Sequence, residues 1–167
     1  MKAIVAVDKF WGIGKNNDLL FSLKGDMQFF RKTTLGATVI MGSNTLKSFP
    51  GGNPLKNRRN IVLFPGGEKR EDCEIVQSLD ELSALLKTLP KEEEVFVIGG
   101  AMFYRTMLPY CSEILVTKVD ADGEAQVFFE NLDAHPDFVL ASEGEQMEEN
   151  GITFRFTTYR NQNVKEF

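Results

Sequence analysis

Few side chains in this sequence can do chemistry, and the most suggestive is Asp26. It lies in LLFSLKGDMQFFRKTTL, Leu19 to Leu35, where a short apolar loop runs into a stretch with helical character. Phe29 and Phe30 follow three and four residues on, offsets that bring side chains onto one helical face. Leu19, Leu20, Phe21 and Leu23 crowd the approach. A carboxylate in such a setting is costly unless something pairs with it. It therefore suits recognition of a cationic, hydrogen-bonding ligand, or the movement of a proton. The plainer alternative is that Asp26 only complements the positive end of its helix, as first-turn acids commonly do. A second chemistry comes from two strand-to-helix junctions, Gly42-Ser43 and Gly99-Gly100, where backbone amides can approach an anionic phosphate. Either glycine alone says little, since turns need glycine; two such junctions in one chain point to a phosphate-bearing cofactor. Gly12-Ile13-Gly14 fails the dinucleotide fingerprint, because residue 17 is Asn.

The absences narrow the function further. His135 is the single histidine, followed by Pro136 in a polar stretch, and reads as a surface loop residue. One histidine rules out His-rich metal sites and argues against Ser-His or Cys-His nucleophilic catalysis. Cys73 and Cys111 form no CxxC pair and no metal spacing, and read as inert thiols of a reducing compartment. If the chain is an enzyme, an organic cofactor carries the chemistry. The net charge of −5 argues against a general nucleic-acid or membrane-surface binder. No apolar run approaches the ~20 residues of a bilayer span, and MKAIVAVDKFWG reads as a strand, not a leader peptide. At 167 residues and 43% hydrophobic content, one domain over residues 1–167 is expected, with a substantial core.

Residues 2–7 (KAIVAV) suit a strand buried on both faces. The following loop is long enough to act as a lid. A helix is expected from about Gly25 to Thr34, then a strand over residues 37–42. Ser43-Asn44-Thr45 offers helix-start chemistry for a helix to about Phe49. Strands follow over 60–64 and 74–77. Ser78, with Glu81 as capping box, opens a helix whose Leu79, Leu82, Leu85, Leu86 and Leu89 form a packing stripe. Strand 94–98, helix 101–108 and strand 112–119 come next. Strands 138–143 and 152–159 flank the hairpin turn signal Asn150-Gly151. The alternation argues an α/β fold: a mainly parallel sheet of about eight strands, an antiparallel C-terminal hairpin and about four flanking helices.

The blocks IVAVD…GIGKNNDLL, GDMQFFRKTTL, VIMGSNTLKSF, PLKNRRNIVL, VFVIGGAMFYR and ILVTKVDAD together resemble dihydrofolate reductase, in that family's order and nearly its spacing. The resemblance runs from Met1 to about Tyr159. It implies NADPH-dependent reduction of 7,8-dihydrofolate to tetrahydrofolate, with hydride passing to C6 and a proton to N5, in support of one-carbon metabolism and thymidylate synthesis. By the same resemblance, Asp26 is the catalytic carboxylate that bonds the pterin and Thr117 supports it, with Phe21 and Leu19 counted beside them. Ile4, Val5, Met27, Phe30, Phe49, Leu55, Ile98 and Tyr104 line the substrate pocket, and Arg58 clamps the substrate's glutamate carboxylate. NADPH is held by Ala6, Ile13, Gly14, Asn17, Leu19, Gly42, Ser43, Asn44, Thr45, Leu63, Phe64, Ile98, Gly99, Gly100, Ala101, Met102, Phe103 and Tyr104. Gly12 to Leu19 is the mobile loop over the nicotinamide, and the Gly99–Gly100 bond is cis. A cytoplasmic monomer is implied, with antifolates binding the same pocket and no metal, nucleic acid or membrane partner.

Departures from the family pattern are equally specific. Phe21 stands where Trp is frequent. Ser43, Phe64-Pro65 and Met102 replace groups usual around the adenosine 2′-phosphate, leaving Lys47, Lys69 or Arg70 to compensate. Ala125 stands where an acid often holds the mobile loop. Two other readings fit less well. A same-fold reductase of riboflavin synthesis would need a basic pocket for a ribose phosphate. A non-catalytic nucleotide or folate-binding module would not need Asp26, Thr117 and Gly99-Gly100 together.

Overall fold

The computed structural model describes residues 1–167. Its strands are β1 (Lys2–Val7), β2 (Gly12–Gly14), β3 (Thr38–Gly42), β4 (Arg59–Leu63), β5 (Glu74–Val76), β6 (Val95–Val97), β7 (Glu113–Val119), β8 (Val127–Phe128), β9 (Phe138–Glu143), β10 (Met147–Glu149) and β11 (Ile152–Asn161). The helices are α1 (Lys24–Thr34), α2 (Ser43–Ser48), α3 (Leu79–Lys87) and α4 (Ala101–Met107), with short 3₁₀ turns between some elements. The main sheet runs β5-β4-β3-β6-β1-β7-β11, parallel up to β7 and antiparallel from β7 to β11. On the far side of β11, β10 pairs with one stretch and β9 with another, so the two act as one broken edge strand.

Period-2 alternation along the central strands sorts their side chains into two cores. Ala3, Val5 and Val7 of β1, Ile40 of β3, Ile61 of β4 and Val97 of β6 pack on one face with Leu82 of α3 and Phe103, Tyr104 and Met107 of α4. Ile4, Val39, Met41, Val62, Phe96 and Ile98 pack on the other, against Leu46 of α2 and Phe29 and Phe30 of α1. Emptying a site as enclosed as Ile40 by substitution to Ala would cost about 2–5 kcal/mol. No helix is long and apolar enough to cross a membrane.

Five local expectations are corrected. Gly12–Gly14, expected as loop, forms a two-stranded sheet with β8, a strand too short for periodicity to show. The Asn150-Gly151 turn, with both residues at positive φ, joins β10 to β11; β9 reaches β11 separately, with its own register shift. Gly42 is the N-cap of α2 and no side chain caps it, so the Ser43-Asn44-Thr45 hydroxyl and amide groups do not close that end. In α3, Ser78 Oγ accepts from the Glu81 amide, but the Glu81 carboxylate accepts from Gln77 N–H, not from Ser78. Leu79 stands exposed outside the leucine stripe. The Gly99–Gly100 peptide is cis.

Candidate active site

β3 and β6 are parallel neighbours, so Gly42 and Gly99 emerge side by side at their carboxyl ends, and the Gly42 amide donates to the Gly99 carbonyl at 2.9 Å. This is the edge at which open α/β sheets bind ligands. α2 and α4 start there. A Cβ on Gly99 would come within 2.8 Å of Thr45 Oγ1, and φ of +139° is itself a conformation that favours glycine. The backbone at this junction is therefore bare, with Ser43, Asn44 and Thr45 on one side and Ala101 to Tyr104 on the other.

α1 crosses the other part of the crevice. Asp26, in its first turn, accepts a 2.7 Å hydrogen bond from the Thr117 hydroxyl at the middle of β7. Thr117 itself is buried and registers beside Ala6 of β1 and Phe156 of β11. Burial raises the Asp26 carboxyl above its ordinary range, and the Thr117 bond opposes that without cancelling it. No cation pairs with it. The positive end of α1 is not what Asp26 serves. Glu149, from β10, accepts from the backbone N–H groups of Lys24 at 2.6 Å and Gly25 at 3.0 Å. Asp26 is thus left to face the cleft.

Ile4, Ile98, Phe30, Phe49 and Leu55 converge in one apolar cluster. Val5, Phe103 and Tyr104 pack instead into the core on the opposite face. Tyr104 spans the two: its hydroxyl donates to the Ile4 carbonyl at 2.7 Å. Burial, then the Asp26 charge, holds that phenol far above its usual range, so it stays a neutral donor. Phe21 packs with Leu23, Val119 and Phe154 near the helix start. Phe29 stacks on Phe156 at 4.3 Å between centroids. Leu19, Met27 and Met102 are largely solvent-exposed at the rim.

The segment after β1 is tied at both ends. Asp8 is buried and accepts from the Phe10 and Gly12 amides through Oδ1 and from the Gly123 amide through Oδ2. A Cβ on Gly12 would overlap that of Ala125. Farther along, Gln126 ties the loop: its Oε1 accepts from Asn16 N–H at 2.9 Å, and its own N–H donates to the Gly14 carbonyl. The loop tip reaches α2, where Asn17 Nδ2 donates to the Asn44 carbonyl at 3.3 Å. Gly14 is buried, and Ile13 packs on the core beneath.

The two arginines before β4 separate cleanly. Arg59 makes a bidentate pair with Glu74 across β4 and β5, at 2.6 and 2.7 Å. Arg58 turns toward α1, donating to Thr34 Oγ1 at 2.9 Å and to the carbonyls of Lys56 and Arg31. Burial, then the nearby Arg31 charge, lowers its pKa. Of the three compensating cations, Arg70 is engaged by Asp72 and the Gly52 carbonyl. Lys47 holds its ammonium 4.8 Å from the Phe64 ring centre, and Lys69 is exposed. His135 is half-buried, its Nδ1 accepting from the Asp137 amide.

Sequence reasoning missed Asp8, Gln126, Phe156 and Glu149. Asp8 carried a usable signal, an acid directly after a strand with glycine four on, the spacing of a side-chain-closed turn. Glu149 carried none, because its partner lies more than a hundred residues away.

Comparison with known proteins bears on this geometry. The family model described as "Dihydrofolate reductase" matches residues 1–161. The chain is 35% identical over 162 residues to the dihydrofolate reductase of Bacillus subtilis (strain 168), covering 96% of this chain and 94% of that one. It is 36% identical over 159 residues to that of Staphylococcus haemolyticus, covering 93% and 92%, and 33% identical over 187 residues to that of Schistosoma mansoni, covering 95% of each. The match over nearly the whole chain agrees with its sheet order, its paired glycine junctions and the half-buried acid bonded to a buried threonine: the chain belongs to the dihydrofolate reductase family.

Proposed function

We propose that this chain, as a single-domain monomer in the cytoplasm, reduces 7,8-dihydrofolate to 5,6,7,8-tetrahydrofolate at the expense of NADPH. The observation that carries the reading is the Asp26–Thr117 pair, one carboxylate without a cation at the mouth of an apolar cleft. When bound, the nicotinamide supplies the hydride for C6. The residues present fit such a cofactor. The Gly42 and Gly99-Gly100 backbone leaves no Cβ between amide groups and a phosphate, and Ser43, Asn44 and Thr45 add neutral donors.

The protein's own work is to bind, orient and hold a proton. Asp26 accepts hydrogen bonds from the amino and ring N–H donors of the pterin, fixing C6 toward the cofactor side. Thr117 restricts the carboxylate to that orientation. A raised Asp26 and a bound pterin share a proton that N5 requires, and the aliphatic and phenylalanine walls keep water from dispersing the charge. Turnover is therefore highest where the site holds that proton and declines as pH rises. Arg58 presents its guanidinium beside the C-terminal turn of α1 and clamps the glutamate carboxylate, a geometry that an arginine fork suits.

Loss of NADPH absorbance with dihydrofolate as substrate tests the reading directly, and NADH in its place tests the cofactor. Turnover of a ribosylated pyrimidine instead, or binding of both ligands without turnover, overturns it. Arg58→Lys checks the clamp: dihydrofolate affinity should fall while a pterin lacking the glutamate tail is held as before, and equal losses on both ligands refute it.

A further inference from the structure

The Glu149 carboxylate bonds the backbone of a helix on the far side of the chain. It belongs to the last residue of β10, directly before the Asn150-Gly151 turn, and it reaches across to the start of α1. Both oxygens are used, one on each of the Lys24 and Gly25 amides, which have no partner within the helix. The N-cap residue Leu23 has no side chain to close that end. Gly25 fits tightly against Phe154, where a Cβ would lie 3.2 Å from the ring edge, so the helix start and the C-terminal hairpin are in direct contact. Asp26 is the next residue.

A helix start can favour a nearby anion through its free N–H groups and partial positive charge. Two carboxylates compete for this one: Asp26 within the first turn and Glu149 from outside. Glu149 holds the amides. The groups facing Asp26 are the Thr117 hydroxyl from β7 and Tyr104 from α4, with the uncharged Phe156 of β11 registered beside Thr117 and Phe154 against Gly25; those beside Glu149 are Lys24 on α1 and Glu148 on β10. No cation among them pairs with Asp26.

We propose that Glu149 is a positioning residue for Asp26. By occupying the amide end of α1 it denies that end to Asp26, holds the first turn in place, and so sets the pH range over which Asp26 keeps its proton. The C-terminal hairpin, which touches no reacting atom, thereby tunes the reaction. This rests on the reading of Asp26 as the acid of the site.

The test uses the full chain with Glu149→Gln and Glu149→Ala, and Glu148→Ala as the exposed control. The first readout is the Asp26 carboxyl titration by ¹³C NMR in the absence of ligands, its resonance identified by loss in Asp26→Asn. Removing the competing anion should lower the Asp26 midpoint by about half a pH unit, from the usual strength of a charge at a helix start. The second readout is the pH profile of kcat/KM with dihydrofolate and NADPH. Its falling limb should move down by the same amount, which is about a threefold loss of rate on that limb. Glu148→Ala should move neither. An unchanged Asp26 midpoint in both Glu149 variants overturns the proposal, whatever happens to Tm. Glu149→Gln keeps size and one accepting oxygen, so the test stands if Glu149→Ala does not fold. If the wild type fails to turn over dihydrofolate, the functional reading falls while the NMR titration still decides this one.

Discussion

Residues Thr117 and Lys118 are neighbours on β7, and the pleat sends them to opposite faces of the sheet. Each meets an aspartate. Thr117 donates its hydroxyl to Asp26 at 2.7 Å. Lys118 brings its ammonium to 3.0 Å from Asp133, and the Tyr159 hydroxyl donates to the same carboxylate at 2.7 Å. Burial raises both acids, but at Asp133 the Tyr159 bond and the Lys118 bond and charge outweigh it, so Asp133 ends below the usual range while Asp26 ends above it. Deeper burial at Asp26, and the phenol and cation that it lacks, separate the two. The side of β7 with a cation is finished as structure: lysine, tyrosine and aspartate satisfy one another, and the ammonium also lies 5.3 Å from the Trp11 ring. The side without a cation keeps a carboxylate whose best partner is still to come, and that is the property a ligand can use.

The largest effect should come from removing the unpaired charge. Asp26→Asn keeps shape, and turnover at neutral pH should fall about 10²–10⁴-fold with partial recovery in acid; wild-type rates at pH 7 would end the comparison. Thr117→Val leaves the charge and takes away its only donor. Because that donation lowers the Asp26 pKa, its loss should push the falling limb of the pH profile upward by about one unit. A limb that moves down, or stays, would mean that Thr117 serves the sheet alone.

Ser43→Arg sharpens the contrast at the other end of the crevice, where Ser43, Pro65 and Met102 offer no charge and Arg70 is already engaged. Supplying a cation should widen the preference for NADPH over NADH by about tenfold at low salt and less at high salt. If the wild type already discriminates strongly and the variant adds nothing, Lys47 or Lys69 holds the phosphate.

The smallest effect is on stability, and its sign differs between the two acids. Asp26 titrates above its unfolded value, so its ionisation costs the folded state. The cost is absent below the unfolded pKa and complete above the folded one. Asp26→Asn should therefore unfold at a higher Tm than wild type at pH 7 and lose that advantage toward pH 4. Asp133 titrates below its unfolded value, so it contributes stability above the unfolded pKa that is lost as pH falls through the folded one. Asp133→Asn should be the less stable protein at pH 7 by about 0.2–1 kcal/mol, a surface-sized effect because half of that side chain is in solvent, and the gap should close in acid. Thermal melts of both variants across pH 3–8 check the two signs together; equal signs would refute the pairing argument.

Much of this was legible in order along the chain. Apolar runs gave β1, β3, β4, β6 and β7 within a residue or two, because strands buried on both faces are written as continuous hydrophobic stretches. Gly42 and Gly99-Gly100 marked the two junctions where α2 and α4 start beside each other at the carboxyl ends of β3 and β6, and Gly99 sits at a positive φ where a Cβ would meet Thr45. Asp26 stood out by being an acid among phenylalanines and leucines, and the ordered blocks along the chain carried the family resemblance. What the sequence could not show was pairing across distance. That Asp26 finds Thr117 and not a lysine depends on α1 lying over the middle of β7, and that Glu149 closes α1 depends on a hairpin folding back from the far end of the chain. The same applies to Arg58 and Arg59, identical in type and adjacent, which part ways only because α1 lies beside one and Glu74 opposite the other. Side-chain type and spacing are local quantities and are set by the sequence; whether a buried charge is neutralised is a sum over neighbours in space, and only the tertiary structure decides it.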